Sequence, residues 1–310
     1  MKKIFSSNIF IFVFIFLFVA FSSAIRYFQL GFFTDYNFGS YNYNADYYIS
    51  NFHIFPQLLT YIVYSSALIY FVAVLLFSFL KKSRGITTFS VTKGNKNIIL
   101  SVCSLLLAAA CFVCSIFYII DIKTLFGPDE DFNIVVIFIF ILQLLCCATF
   151  IYFFCCLRFD KVFDKKNLLN IVFIFPILWS VLRVFSMMSF KYFLMLTPRE
   201  KMLTSFKISS VCLFFFYFGK FIVGMHSKNN EKKLFLASYM AIFLSFVNTV
   251  PKFILYFKNI INSVGDFGQY YLYNVDVLKG YNFVFVDFFV AIFILSFLFS
   301  YRFACNSSVK

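Results

Sequence analysis

The chain has 310 residues, 62% of them hydrophobic and 13% charged, and carries a formal net charge of +14. A soluble domain holds roughly a quarter charged residues, so this composition excludes an ordinary soluble enzyme or binding module. In a soluble protein the positive balance would suggest nucleic acid. In a membrane protein it reads as lysines placed by the insertion rule beside anionic lipid headgroups, and no nucleic-acid partner is expected.

Crossing a bilayer takes about 20 predominantly apolar residues. Eight stretches qualify, at residues 4–24, 57–80, 98–120, 134–157, 168–190, 198–225, 234–255 and 281–301. The expected fold is therefore all-α, a polytopic transmembrane bundle in which residues 1–310 form a single integral membrane domain with no soluble domain. The 53 Phe and 20 Tyr replace much of the usual Leu and Val, which, with many Asn and Lys, fits an AT-rich genome.

The first stretch has a rival identity. Lys2 and Lys3, an apolar run and Ser22-Ser23-Ala24 resemble a secretory signal with a small-residue cleavage site. The run is long for a signal, which favours an uncleaved helix; cleavage would leave seven spans. The loop from Arg26 to Pro56 follows, with Tyr36-Asn37-Phe38 and Tyr41-Asn42-Tyr43-Asn44 as its aromatic core. It reads as an interfacial aromatic belt or as a ligand-facing surface, and the belt is the plainer reading. Gly127-Pro128 breaks the chain before the fourth stretch, and Asp129, Glu130 and Asp131 favour that helix's N-terminus. Thr197-Pro198-Arg199-Glu200 has the pattern of an N-cap and capping box. A sixth helix starting there exceeds the membrane thickness, so its first turns are expected to stand outside or tilt. Residues 252–261, with Lys258, read as an outer-face interfacial helix.

Charge orients the bundle. Lys2, Lys3, Lys81, Lys82, Arg84, Lys93, Lys96, Arg158, Lys161, Lys165, Lys166, Lys228, Lys232, Lys233, Arg302 and Lys310 all fall on one side, with only Asp160, Asp164 and Glu231 among them. The other side has nine basic and nine acidic residues. The positive-inside rule then puts both termini in the cytoplasm, with Lys81, Lys82 and Arg84 against anionic headgroups.

An ionisable residue inside a span is a functional candidate by default. Three are read here: Arg183 in the fifth stretch, Lys220 in the sixth and Asp287 in the eighth. Arg183 and Asp287 share a depth in the outer third and are costly to leave unpaired, so they are expected to pair. That pair is either a gate on a solute path or a structural clasp, and its apolar neighbours favour the clasp. Trp179, four residues before Arg183, shares its helix face. Lys220 lies near the cytoplasmic end, where it can snorkel to headgroups.

The nine cysteines lie in spans or the cytoplasmic tail, so no outer disulfide framework is available. Cys111-Phe112-Val113-Cys114 has metal-ligand spacing and Cys146-Cys147 a similar depth, but no His lies in the spans. Packing is the favoured role. No metal or cofactor is expected. H-E-x-x-H, G-x-S-x-G and Walker A patterns are absent from the chain. Phe175-Pro176-Ile177-Leu178-Trp179-Ser180-Val181-Leu182-Arg183 and Leu213-Phe214-Phe215-Phe216-Tyr217-Phe218-Gly219-Lys220 resemble uncharacterised multi-pass membrane proteins of low-GC Gram-positive bacteria. The resemblance implies a bacterial plasma membrane and brings no activity with it.

Three classes of function remain. A small-solute transporter, or a subunit of one, leads on the prevalence of transport among polytopic bacterial proteins, although only Gly219 and Gly224 lie within spans to break helices. A sensor or partner subunit reading an external ligand through the 26–56 loop is the alternative, and it would need a partner protein for output. An intramembrane enzyme comes third, since proton-transfer residues are few.

Overall fold

The computed structural model describes residues 8–32, 54–80, 98–125, 134–158, 171–189, 198–225, 227–262 and 284–307. They form eight α-helices: α1 (Asn8–Phe32), α2 (Ile54–Leu80), α3 (Ile98–Leu125), α4 (Ile134–Arg158), α5 (Ile174–Ser189), α6 (Pro198–Val223), α7 (Lys228–Asn262) and α8 (Val284–Ser307). Six of them, α2, α3, α4, α6, α7 and α8, are long and apolar enough to cross a membrane. Shorter apolar helical stretches lie at Val13–Phe28 in α1 and Ile174–Phe185 in α5 among the residues whose side chains are described. Large apolar side chains such as Phe16, Tyr61 and Leu68 stand exposed in mid-helix. That arrangement suits lipid as the surrounding solvent, where helices associate by packing and polar contacts rather than by expelling water.

Successive helices run antiparallel, as their cross-contacts show. Ser22 bonds Ser66 at 2.9 Å while Phe14 stacks near Tyr70, so α1 and α2 run in opposite directions. Ser104 donates to the Phe150 carbonyl and Gln143 to the Cys111 carbonyl, which sets α3 against α4. Phe235 meets Tyr301 and Phe253 meets Phe285, which sets α7 against α8. The odd-numbered helices thus finish, and the even-numbered ones begin, at one end of the bundle, here termed the distal end.

The α6–α7 corner shows why the chain reverses there. Gly224 takes φ 87°, a left-handed conformation that costs a residue with a Cβ. The Gly224 amide donates to the Phe221 carbonyl and the Met225 amide to the Lys220 carbonyl, closing the last turn of α6. Ser227 then accepts from the Asn230 amide as the N-cap of α7.

The Phe excess has a structural use. Phe214, Phe218, Phe293 and Phe297 form a layer between α6 and α8 that Phe153 and Phe173 extend to α4 and the turn before α5, mostly edge-to-face, with centroids 4.9 to 6.4 Å apart. Aromatic pairs in this geometry are favoured by about 0.5–1.5 kcal/mol beyond their area.

Two expectations change. Helix α1 does not stop at Ala24 but runs to Phe32, which brings Arg26 into the helix and buries it. Residues 252–261 are not a separate interfacial helix; they continue α7, whose 35 residues span about 52 Å at the usual helical rise. The Tyr/Asn-rich part of the 26–56 loop, Gly127-Pro128 and Thr197 lie outside the described residues.

Candidate functional site

Helices α5, α6 and α8 meet toward the distal end around one carboxylate. Arg183 Nη1 donates to Asp287 Oδ1 at 2.8 Å and Nη2 donates to Oδ2 at 3.0 Å. Two parallel charge-assisted bonds from a planar guanidinium are the strong form of this interaction. Lys207 Nζ reaches the same Oδ2 at 2.5 Å. Relative exposure is 2% for Arg183, 1% for Lys207 and 0% for Asp287, so the triad is buried. Among the described residues, two cations share this one carboxylate.

Arg183 and Asp287, matched from sequence on depth alone, are therefore in direct contact. Trp179 takes the place its spacing suggested, with the Arg183 guanidinium carbon 4.5 Å from the ring centroid. The indole face adds cation–π attraction that strengthens when water is excluded. The Ser180 hydroxyl bonds back to the Pro176 carbonyl, satisfying a polar group beside the site without drawing on the charges.

Lys207 was missed. By sequence it counts among the nine outer-side cations, since the first turns of α6 were expected outside the bilayer. In the structure it lies nine residues into α6 and faces inward. A signal existed: Leu203, Ser210, Val211 and Phe214, at three-, four- and seven-residue offsets, are all buried on its face. Lys252 was also assigned to the outer side. It sits partly buried in α7, close enough to Asp287 and Lys207 to feel both charges, and is repelled by Arg26 of α1. Among the described residues, four cations from four helices surround this end of the bundle together with Asp287.

Other candidates are placed as follows. Lys220 is partly exposed near the opposite end of α6, over the Phe216 ring at 4.3 Å, and takes no part in the cluster. Lys81, Lys82 and Arg84 lie outside the described residues, as do residues 33–53 of the loop on which the sensing reading rests. Cys111, Cys114 and Cys146 are buried free thiols at the α3–α4 seam. Among the described residues no group of three or more His, Cys, Asp or Glu is arranged to hold a metal ion. A groove of about 460 Å³ between α1 and α2 is lined by Leu17, Phe21, Tyr61 and Ser66 among others and carries no charged side chain. Its apolar walls suit lipid contact, whereas the charged chemistry lies elsewhere.

No family model, curated protein or solved structure matches this chain.

Proposed function

We propose that this multi-pass membrane protein binds and translocates a small anionic solute, alone or with a partner subunit, through the cluster at its distal end. The supporting observation is the single Asp287 carboxylate shared by buried Arg183 and Lys207. A purely structural clasp needs one cation per carboxylate, and each extra buried cation adds desolvation cost. In this reading Asp287 is a surrogate ligand. Its carboxylate occupies the place that the anionic group of the solute takes, and exchange of one for the other frees α8 from α5 and α6. The asymmetry of the basic loops supports an external distal end, and in this reading the solute enters from there.

The test is ligand-induced stabilisation and flux in proteoliposomes, with acetate, phosphate and sulfate as first probes. Wild type is expected to gain thermal stability with at least one of these anions and to carry it across the bilayer. Arg183→Gln and Lys207→Gln are expected to lose both effects. A folded Arg183→Gln protein that keeps full anion response would dismiss the proposal.

A further inference from the structure

The cations are not the only buried polar groups at the distal end. On α7, Ser245, Asn248, Thr249 and Lys252 follow one another at offsets of three, four and seven residues, so they share one helix face. Ser245 and Thr249 are fully buried and Asn248 is 2% exposed. Ser245 Oγ, Asn248 Oδ1 and Thr249 Oγ1 have no hydrogen-bond partner among the described residues, and neither has Ser23 Oγ on α1.

These oxygens lie on two helices that pack together, at similar levels along them. Helices α1 and α7 pack together and run parallel. At one level Phe14 and Phe18 flank Tyr70, which stacks on Phe243 at 4.3 Å. At the other level Arg26 repels Lys252. Ser23 lies on α1 and Ser245, Asn248 and Thr249 lie on α7 between those two tie points. Ser23 and Thr249 each stand three residues, about 4.5 Å, below their own helix's cation.

Several buried hydroxyls elsewhere in the described helices are bonded. Ser115, Thr149, Ser180 and Ser238 all donate to the carbonyl four residues back, at 2.6 to 2.8 Å. Ser245 and Thr249 have the same option and do not take it. A buried polar group without a partner costs about 1–3 kcal/mol, so several at similar levels are expected to serve a ligand.

The chemistry of that ligand follows from the groups present. Asn248 Oδ1 is an acceptor only, and Pro251 has no amide to offer the Val247 carbonyl one turn back. The three hydroxyls each donate and accept, while Asn248 Oδ1 and the Val247 carbonyl only accept, so the set calls for a ligand group that does both. An ammonium donates but cannot accept, so it would leave the hydroxyl hydrogens unpaired. Neutral hydroxyls remain. We propose that the solute is a hydroxylated anion, such as a polyol phosphate or a hydroxy acid, whose hydroxyl groups bond to Ser23, Ser245, Asn248 and Thr249 while its charge meets the cation cluster. This rests on the anion-binding reading and adds the part of the solute that reading leaves open.

The experiment compares matched probes on the full-length protein in lipid nanodiscs: glycerol 3-phosphate against n-propyl phosphate, and glycerate against propionate. Each pair shares its charge and carbon count and differs in hydroxyls. Wild type is expected to bind the hydroxylated member at least about tenfold tighter in one or both pairs, since a site built to bond a hydroxyl rejects the analogue without it. Asn248→Leu with Thr249→Val removes the oxygens and should bring that ratio close to one. Ser245→Ala, a smaller change, should narrow it. Equal affinity for both members in wild type, or a ratio that survives the double variant, overturns the hydroxyl proposal and leaves anion binding standing. Failure of every anion to bind would instead sink the anion reading itself.

Discussion

Two layers of the same bundle are built on opposite rules. Toward the centre, α6 and α8 meet through Phe214, Phe218, Phe293 and Phe297, all fully buried, with edge-to-face rings and no polar atom to satisfy. Two to three turns toward the distal end, the same two helices meet through Lys207 and Asp287, with Arg183 added from α5. The first layer gains dispersion contacts and asks for nothing else. The second holds three charges in a buried site, where each ion alone would cost several kcal/mol and only mutual pairing makes it tolerable. The contrast separates what holds the helices together from what gives the bundle a chemical preference. A bundle needing only stability has the aromatic layer as a template and no use for the charged one.

Substitutions at the two layers should break this comparison in different ways. Asp287→Asn is expected to do most damage, because it leaves two buried cations facing each other; a loss of about 3–5 kcal/mol should appear in denaturant unfolding in bicelles. Removing Arg183 and Asp287 together should cost less than the sum of the single changes, and simple additivity would argue against their coupling. Phe218→Ala should lower stability by about 3 kcal/mol through the cavity it opens, yet leave the anion response of the folded protein intact. Loss of that response in Phe218→Ala would mean the layers are not separable. Gly224→Ala is expected to cost about 1 kcal/mol through its left-handed φ, with no change in ligand preference. Thr249→Val comes last and runs in the opposite direction. Replacing an orphaned hydroxyl by a methyl should be neutral or raise stability by under about 1 kcal/mol, while the hydroxyl selectivity falls. A clear destabilisation there would show that the oxygen has a structural partner.

Much of the fold was legible because hydropathy is a local sum. The eight helices lie where the apolar runs lie, and α4 at Ile134–Arg158 and α6 at Pro198–Val223 begin at the expected residues. Arg183 and Asp287 were legible because a charge in an apolar run has nowhere to hide, and their distances from helix ends gave equal depths. Lys207, Arg26 and Lys252 were not. Each lies near the end of an apolar stretch, where a long side chain is free to turn outward to water or inward to the bundle, and the one-dimensional pattern is the same for both.

The amino-acid sequence by itself determined which segments are helices, how they alternate and that two opposite charges lie at one depth, since those follow from hydrophobic length and charge along the chain. Which face of each helix turns inward was decided only by the tertiary structure. In a soluble helix the polar face marks the solvent side, but lipid and protein interior are both apolar, so lipid-facing Phe16 and core-facing Phe218 read alike in the sequence. Packing alone placed Lys207 on the carboxylate of Asp287 and buried Ser245, Asn248 and Thr249 on one face of α7, because that choice depends on how eight helices fit together and not on any one of them.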